Sequence, residues 1–582
     1  MRRTKLQACI VWWFVMLTAA LTEARDSVLT AIPSDALGFA VVHNLADASR
    51  SIGEVAKLVQ APALDLLALA KNFSGIQKGI DDQGDLAIVV VSADRAPTMV
   101  VLVPVASFAD FCAGLHVTDP GESTVEVKLN GRSKLLGHKG NFALLANTND
   151  RAALEAILAA KTNLATDTSL ASWLDANRAS LVITSHGLAQ ALPKLVAGIR
   201  TAQEQMRKAP TPQGQTAADS LNLYVDFLTA AAPEVEQFAL GIRIDAAQTV
   251  DLVKRIQFVP SGAWAKWAAG VPSENENFLT GLPAGPFMAV AGGIVPHGGM
   301  DQLMKFSVQM MRQNPAFHLT PEQAEKYLQL SSGSMRHVRS MRMRFGLTEP
   351  GAGIYSNTTA LMTVDDSKAY IDDYEKTLVA MGELGKEVKS PLIPVPDVRR
   401  TKLGHMEVFE ITMDMASAMQ ATTPGGPDMQ AIMRAFAGPE GKFKVFVASA
   451  DEHTIVMAYT SLDLLKSAIE FYKSHDPGLA ADPSVAKVAA MLPTGSQLVA
   501  YVNLSGVIQA MQQFFAALPN VPAAKLPKLA PSPPLGMAAK VTATGVEGHM
   551  VITADTLRTF GDVIAKFRQS MPHPPTPHDN SQ

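Results

Sequence analysis

Short apolar runs along the chain end at Ser, Thr, Asn or Asp, and a stripe of apolar residues at helical spacing begins there. Residues 142–146 lead through Asn147-Thr148-Asn149-Asp150 into Leu154, Ile157 and Leu158. Residues 455–459 lead through Thr460-Ser461 into Leu465, Ala468, Ile469 and Tyr472, and residues 499–502 lead through Asn503 into Leu504, Val507, Ile508 and Met511. A short apolar run predicts a strand, and the i, i+3, i+4, i+7 spacing predicts an amphipathic helix. The polar residue between them is suited to accept a bond from the first free N–H groups of that helix.

A second pattern is strand, turn, strand, helix. It is readable from Leu86 to Phe108, and again at 238–267, 339–378 and 537–567. Asp245-Ala246-Ala247, Glu349-Pro350-Gly351 and Ala543-Thr544-Gly545 supply the reversals. Strands joined by short turns run antiparallel, and helices that follow such hairpins are expected on one face of the sheet. The expected fold is therefore α+β with mostly antiparallel sheets, not a doubly wound parallel sheet.

The patterns also recur over long distances. Ile32-Pro33, Leu282-Pro283 and Leu492-Pro493 each open a strand, and Asp167-Thr168-Ser169-Leu170 matches Asp482-Pro483-Ser484-Val485. These correspondences predict two tandem homologous halves, a first α+β unit at 25–272 and a second at 280–570. The offset grows from 250 residues at Pro33/Pro283 to 313 at Phe142/Ile455, which places added length in the front of the second half. If one copy gained a specialised role, the site is expected at 296–350, at 405–440 or in the groove between halves. Residues 207–214 and 520–535 read as connectors, and the Pro-rich tail 571–582 reads as disordered.

The N-terminus changes the picture of where the protein works. Arg2, Arg3 and Lys5 precede an apolar run from Leu6 to Leu21, followed by Thr22-Glu23-Ala24. A positive start, an apolar middle and small residues at a cut describe a secretory signal peptide. Residues 1–24 are expected to be removed, leaving a periplasmic or extracellular chain without an integral membrane span. The alternative is retention of the run as an anchor. Removal takes three basic residues and Glu23, leaving a net charge of −6. No basic tract points to nucleic acid. Cys112 is then the only cysteine, so no internal disulfide is expected, and its apolar surroundings read as core.

With its signal peptide and its repeated Leu-Pro-strand-helix and strand-hairpin-helix units, the chain resembles exported proteins of unknown function of the kind common in Planctomycetes. Ile32-Pro33, Leu282-Pro283 and Leu492-Pro493 with their following strands carry the resemblance over nearly all of the mature chain. It implies export and repetition, and it transfers no activity and no site residue.

No His-Glu-x-x-His, Cys-x-x-Cys or Gly-x-Ser-x-Gly motif occurs, and Gly351-Ala352-Gly353 lacks the third glycine of a dinucleotide loop. No catalytic, cofactor-binding or metal-ligating residue is therefore assigned, and no cofactor is expected. Asp365-Asp366 and Asp372-Asp373 read as the solvated face of one helix with a capped first turn. The most unusual signal is methionine, since 17 of 26 lie between Leu282 and Met457. Among them are Met300, Met304, Met310, Met311, Met335, Met341, Met343, Met406, Met413, Met415, Met419, Met429 and Met433. His297, His318, His337 and His405 share the segment. Core filling, a pliable apolar groove and soft-metal Cu(I) handling all use this residue, and core filling is the first expectation. The function expected is an exported non-enzymatic binding or structural protein of the cell envelope, its partner unidentified. The alternatives are an exported hydrolase with a dispersed site and a carrier of an apolar ligand or Cu(I).

Overall fold

The computed structural model describes residues 27–62, 65–74, 78–93, 96–118, 121, 123–208, 221, 225, 226, 228–272, 276–296, 304, 308, 319–388, 395–414, 429–518 and 529–570. The expected signal peptide, the tail 571–582, most of both connectors, His297, His318, Met300, Met310, Met311, Met415 and Met419 lie outside them. The chain forms two compact units, 1–52 with 64–187, and 53–63 with 188–582.

Among the described residues the first unit has seven strands: β1 (Gly38–Val42), β2 (Leu86–Ala93), β3 (Ala96–Pro104), β4 (Val125–Leu129), β5 (Arg132–Lys139), β6 (Phe142–Asn147) and β7 (Ala179–Thr184). They pair antiparallel in the order β4-β5-β6-β3-β2-β1-β7. Helix α1 (Phe108–Gly114) follows the β2–β3 hairpin and starts where Ser107 Oγ accepts from Asp110 N at 3.2 Å. Helix α2 (Arg151–Ala159) follows β6. Asn147 does not cap this helix; its amide donates to Asp150 Oδ2 at 2.7 Å. Phe108, Phe111 and Cys112 pack with Leu136, Ala143 and Leu145 in one buried cluster. The neighbouring Gly137 points the other way, and a Cβ there would meet Leu158 Cδ1 at 3.0 Å.

The second unit has twelve strands among its described residues. They are β8 (Val235–Ile244), β9 (Val250–Phe258), β10 (Phe287–Ile294), β11 (Val338–Gly346), β12 (Thr358–Val364), β13 (Asp397–Leu403), β14 (Met406–Met413), β15 (Phe443–Ser449), β16 (Thr454–Tyr459), β17 (Leu498–Val502), β18 (Leu535–Thr542) and β19 (Gly545–Ile552). All pairs are antiparallel, in the order β8-β9-β19-β18-β17-β10-β11-β12-β16-β15-β14-β13. The boundary between compact units therefore falls at residue 187 and not at the 272–280 boundary read for the halves. The reason is β9, which pairs from Val250 to Gln257 with β19, so that residues 235–258 pack with the C-terminal part of the chain.

Helices lie on both faces, beyond the one-face arrangement expected of hairpin-following helices. Helix α3 (Ala263–Ala269) follows β9, and helix α4 (Ser367–Val388) follows β12. Tyr370, Ile371 and Tyr374 of α4 pack with Ala360, Met362, Ile455 and Met457. The alternate residues Leu361, Val456 and Ala458 pack instead with Leu465, Ala468 and Ile469 of helix α5 (Leu462–Ser474). Successive side chains of a strand point to opposite faces. Strands covered twice need apolar residues at every position, as in the fully buried Phe142–Ala146 and Thr454–Ala458 stretches. Ser461 Oγ caps α5 through Leu464 N at 3.2 Å, and Asn503 Oδ1 caps helix α6 (Leu504–Ala517) through Gly506 N at 3.0 Å.

Candidate functional site

β11 alternates Ser340, Arg342 and Arg344 with Met341 and Met343. The arginine face, not the methionine face, is the more deeply buried: Arg342 and Arg344 are 8% and 5% exposed, while Met341 is 38% exposed. Burying a guanidinium costs several kcal/mol unless a carboxylate and hydrogen bonds compensate it. Arg342 has that compensation, with Nη1 2.8 Å from Glu276 Oε1, an oxygen that Ser340 Oγ also reaches at 2.8 Å.

Arg344 is held differently. Its Nη2 donates to the Pro286 carbonyl at 3.0 Å, and its Nε is buried with no hydrogen-bond partner. Burial pulls its pKa below the ordinary guanidinium value, and no carboxylate among the described residues offsets that effect. Thr359, its cross-strand partner on β12, is fully buried with an equally unpaired Oγ1. Local backbone makes the space. A Cβ on Gly346 would stand 2.5 Å from both Arg344 Nη1 and Asn357 Nδ2. Asn357 is fixed by donating to the Leu347 carbonyl at 2.7 Å.

Arg344, Thr359 and Asn357 line a cavity of about 340 Å³. Helix α5 contributes Leu464, Ala468 and Phe471 to its wall, and the exposed Ser467 stands at its rim. The Ser461 cap that starts α5 thus also sets the helix over the polar pair on the sheet. The site can hold an anion or a hydrogen-bond acceptor against an apolar wall. Among the described residues no nucleophile–base pair is part of its lining.

The paired carboxylates marked in the sequence are satisfied locally. Asp366 Oδ1 caps α4 through Ala369 N at 2.8 Å, and Asp365 pairs with Arg339. Asp372 stands 3.2 Å from Arg400, which also pairs with Glu375 and Glu407 in an exposed network. Asp373 binds Arg336 and stands 3.1 Å from His337 Nε2, and these partners hold its carboxyl well below the usual range. The paired carboxylates therefore serve separate ion pairs. His405 is exposed. Met335, Met343 and Met413 pack against the cluster that contains the buried Met362 and Met457, Met406 packs on the opposite-face cluster, and Met433 is buried.

Of the segments marked in the sequence, 296–350 supplies Arg344; the other lining residues come from 283–284, 357–359 and 464–471. Arg344 itself was missed. Its signal was an Arg-x-Arg pair inside a strand, followed by a second strand of threonine and apolar residues without a charge. Compared with family models, with curated proteins and with solved structures, the chain matches none.

Proposed function

We propose that the protein is an exported, non-enzymatic binding protein of the cell envelope and that the cavity over Arg344 is its ligand site. One observation carries this reading: a guanidinium 5% exposed, with no carboxylate partner among the described residues, sits at the floor of a cavity whose wall is apolar. A buried charge left without a counter-charge inside the protein is a place for one from outside. Thermal unfolding of the exported chain against a panel of small metabolites tests it. A ligand raises the midpoint of the natural chain and not that of Ser467→Trp, which closes the rim. Equal shifts in both chains, or none across the panel, would count against the reading. Intact mass of the exported protein, expected to begin at Arg25, tests export; a product retaining Trp12 and Trp13 would mean an anchor.

In the same proposal the scaffold is a tandem duplication. The order β4-β5-β6-β3-β2-β1-β7 of the first unit matches β14-β15-β16-β12-β11-β10-β17 of the second, with β13 as one added edge strand. Phe142–Ala146 and Ile455–Tyr459 then take the same place, each between a hairpin strand and its own predecessor. Aligning Phe39 with Phe287 sets Val41 and its partner Ala87 against Val290 and its partner Arg344, across the bulge in β10. The counterpart of the Arg344/Thr359 pair is then Ala87/Leu102, both buried and apolar. A ligand site present in one copy only fits that difference.

A further inference from the structure

Resting on that reading of the cavity, we infer that the ligand is a small monocarboxylate with an apolar body, its carboxylate seated on the Arg344 guanidinium. Three features of the cavity lead there. Arg344 is the one charged residue among the described residues that line it, so a single negative charge brings the site to neutrality. A phosphate dianion would remain half uncompensated in a buried place. The donor is also of the right kind. Arg344 is held through Nη2 by the Pro286 carbonyl at 3.0 Å, and its guanidinium is part of the cavity lining. A guanidinium presents several N–H donors in one plane, which matches the oxygens of a planar carboxylate. Lastly, Leu464, Ala468 and Phe471 offer a wall that rewards an alkyl or aryl group. The volume of about 340 Å³ lies at the small end of ligand pockets and suits a short chain or one ring.

Hexanoate, benzoate, inorganic phosphate and the uncharged hexanamide are the probes. Each is titrated calorimetrically into the exported chain, while the Arg344 Nε–H signal is followed by NMR and assigned by its loss in Arg344→Met. Hexanoate or benzoate should bind one to one and shift that signal. Hexanamide should bind about 10- to 100-fold more weakly, the range expected for losing a charged hydrogen bond. Arg344→Met should lose carboxylate binding by a similar factor. Ser467→Trp leaves the guanidinium in place and should block binding by access alone, which keeps the test decisive if Arg344→Met does not fold. Hexanoate binding that is equal in the natural chain, Arg344→Met and Ser467→Trp overturns the inference. Phosphate bound in preference to both carboxylates, with the Arg344 signal shifted, overturns the carboxylate class while leaving a ligand site there. No shift of the Arg344 signal with any probe overturns the carboxylate assignment outright; the metabolite panel then decides whether the cavity binds anything.

Discussion

Gly506 offers a test in which local propensity and packing predict opposite signs. It is the third residue of α6, and replacing glycine by alanine in a helix ordinarily gains up to about 1 kcal/mol. Here an added Cβ would stand 2.3 Å from the Phe287 carbonyl oxygen and 3.0 Å from Met288 Cα, both backbone of β10. Neither atom can rotate away, so the start of α6 must shift off the strand by about an ångström. That costs about 1–3 kcal/mol as overpacking. The shift also stretches the 3.0 Å bond from Gly506 N to Asn503 Oδ1, a cap worth about 1 kcal/mol. The net expectation for Gly506→Ala is a loss of about 1–3 kcal/mol. Gly198, inside the helix Ser185–Lys208, has nothing within 4 Å of its would-be Cβ, so Gly198→Ala should gain about 0.5–1 kcal/mol. Urea unfolding in a Trp173→Phe background, with the chain begun at Arg25, leaves Trp264 and Trp267 as reporters of the second unit. A Gly506→Ala midpoint equal to or above that of the parent would refute the reasoning, because it would mean that α6 slides on β10 without cost.

Three further outcomes are expected. Burial pushes Tyr374 and Tyr501 up to about 12 and Tyr370 higher still. Since the folded chain favours the neutral phenol, the associated stability is complete below about pH 10 and declines between about 10 and 12; absorbance at alkaline pH should show these phenols ionising late, and normal titration of all tyrosines in the folded chain would contradict this. His43 Nδ1 stands 2.9 Å from Asp85 Oδ1, and this pairing raises the imidazole pKa against the opposing effect of burial. Its contribution to stability is present below the ordinary histidine pKa and fades as pH rises through the raised one, and NMR should find that Asp85→Asn moves the titration down. Cys112 is 1% exposed, so a thiol reagent should label it only when the first unit unfolds; rapid labelling of the native chain would remove it from the core assignment.

The strand-hairpin-helix units were legible because each rests on neighbours in sequence. Residues 86–108, 238–267, 339–378 and 537–567 all fold in the order their patterns predict. Which face of a strand is the more deeply buried was not legible. The alternation of Met341 and Met343 with Arg342 and Arg344 reads naturally with methionine inside. It is overruled by Glu276, 66 residues from Arg342, and by α5, more than 100 residues away in sequence. The β9–β19 pairing was hidden for the same reason. Strand pattern shows that a residue is buried, whereas the partner that makes burial tolerable comes from tertiary structure. The Arg344 cavity, built from four separated segments, belongs wholly to that second kind of information.

The pairing of β9 with β19 also constrains how the chain can fold as it is made. Val250 and Ile552, opposite one another in the sheet, are separated by 302 residues. From the time residues 235–258 emerge until β19 exists, β9 presents an open edge of unpaired N–H and C=O groups. Such an edge invites pairing with other chains, and closure over so long a separation is slow. A chain ending before Gly545 would keep that edge permanently. Aggregation of such fragments, together with a need for holding factors during synthesis, follows from this one late-closing seam.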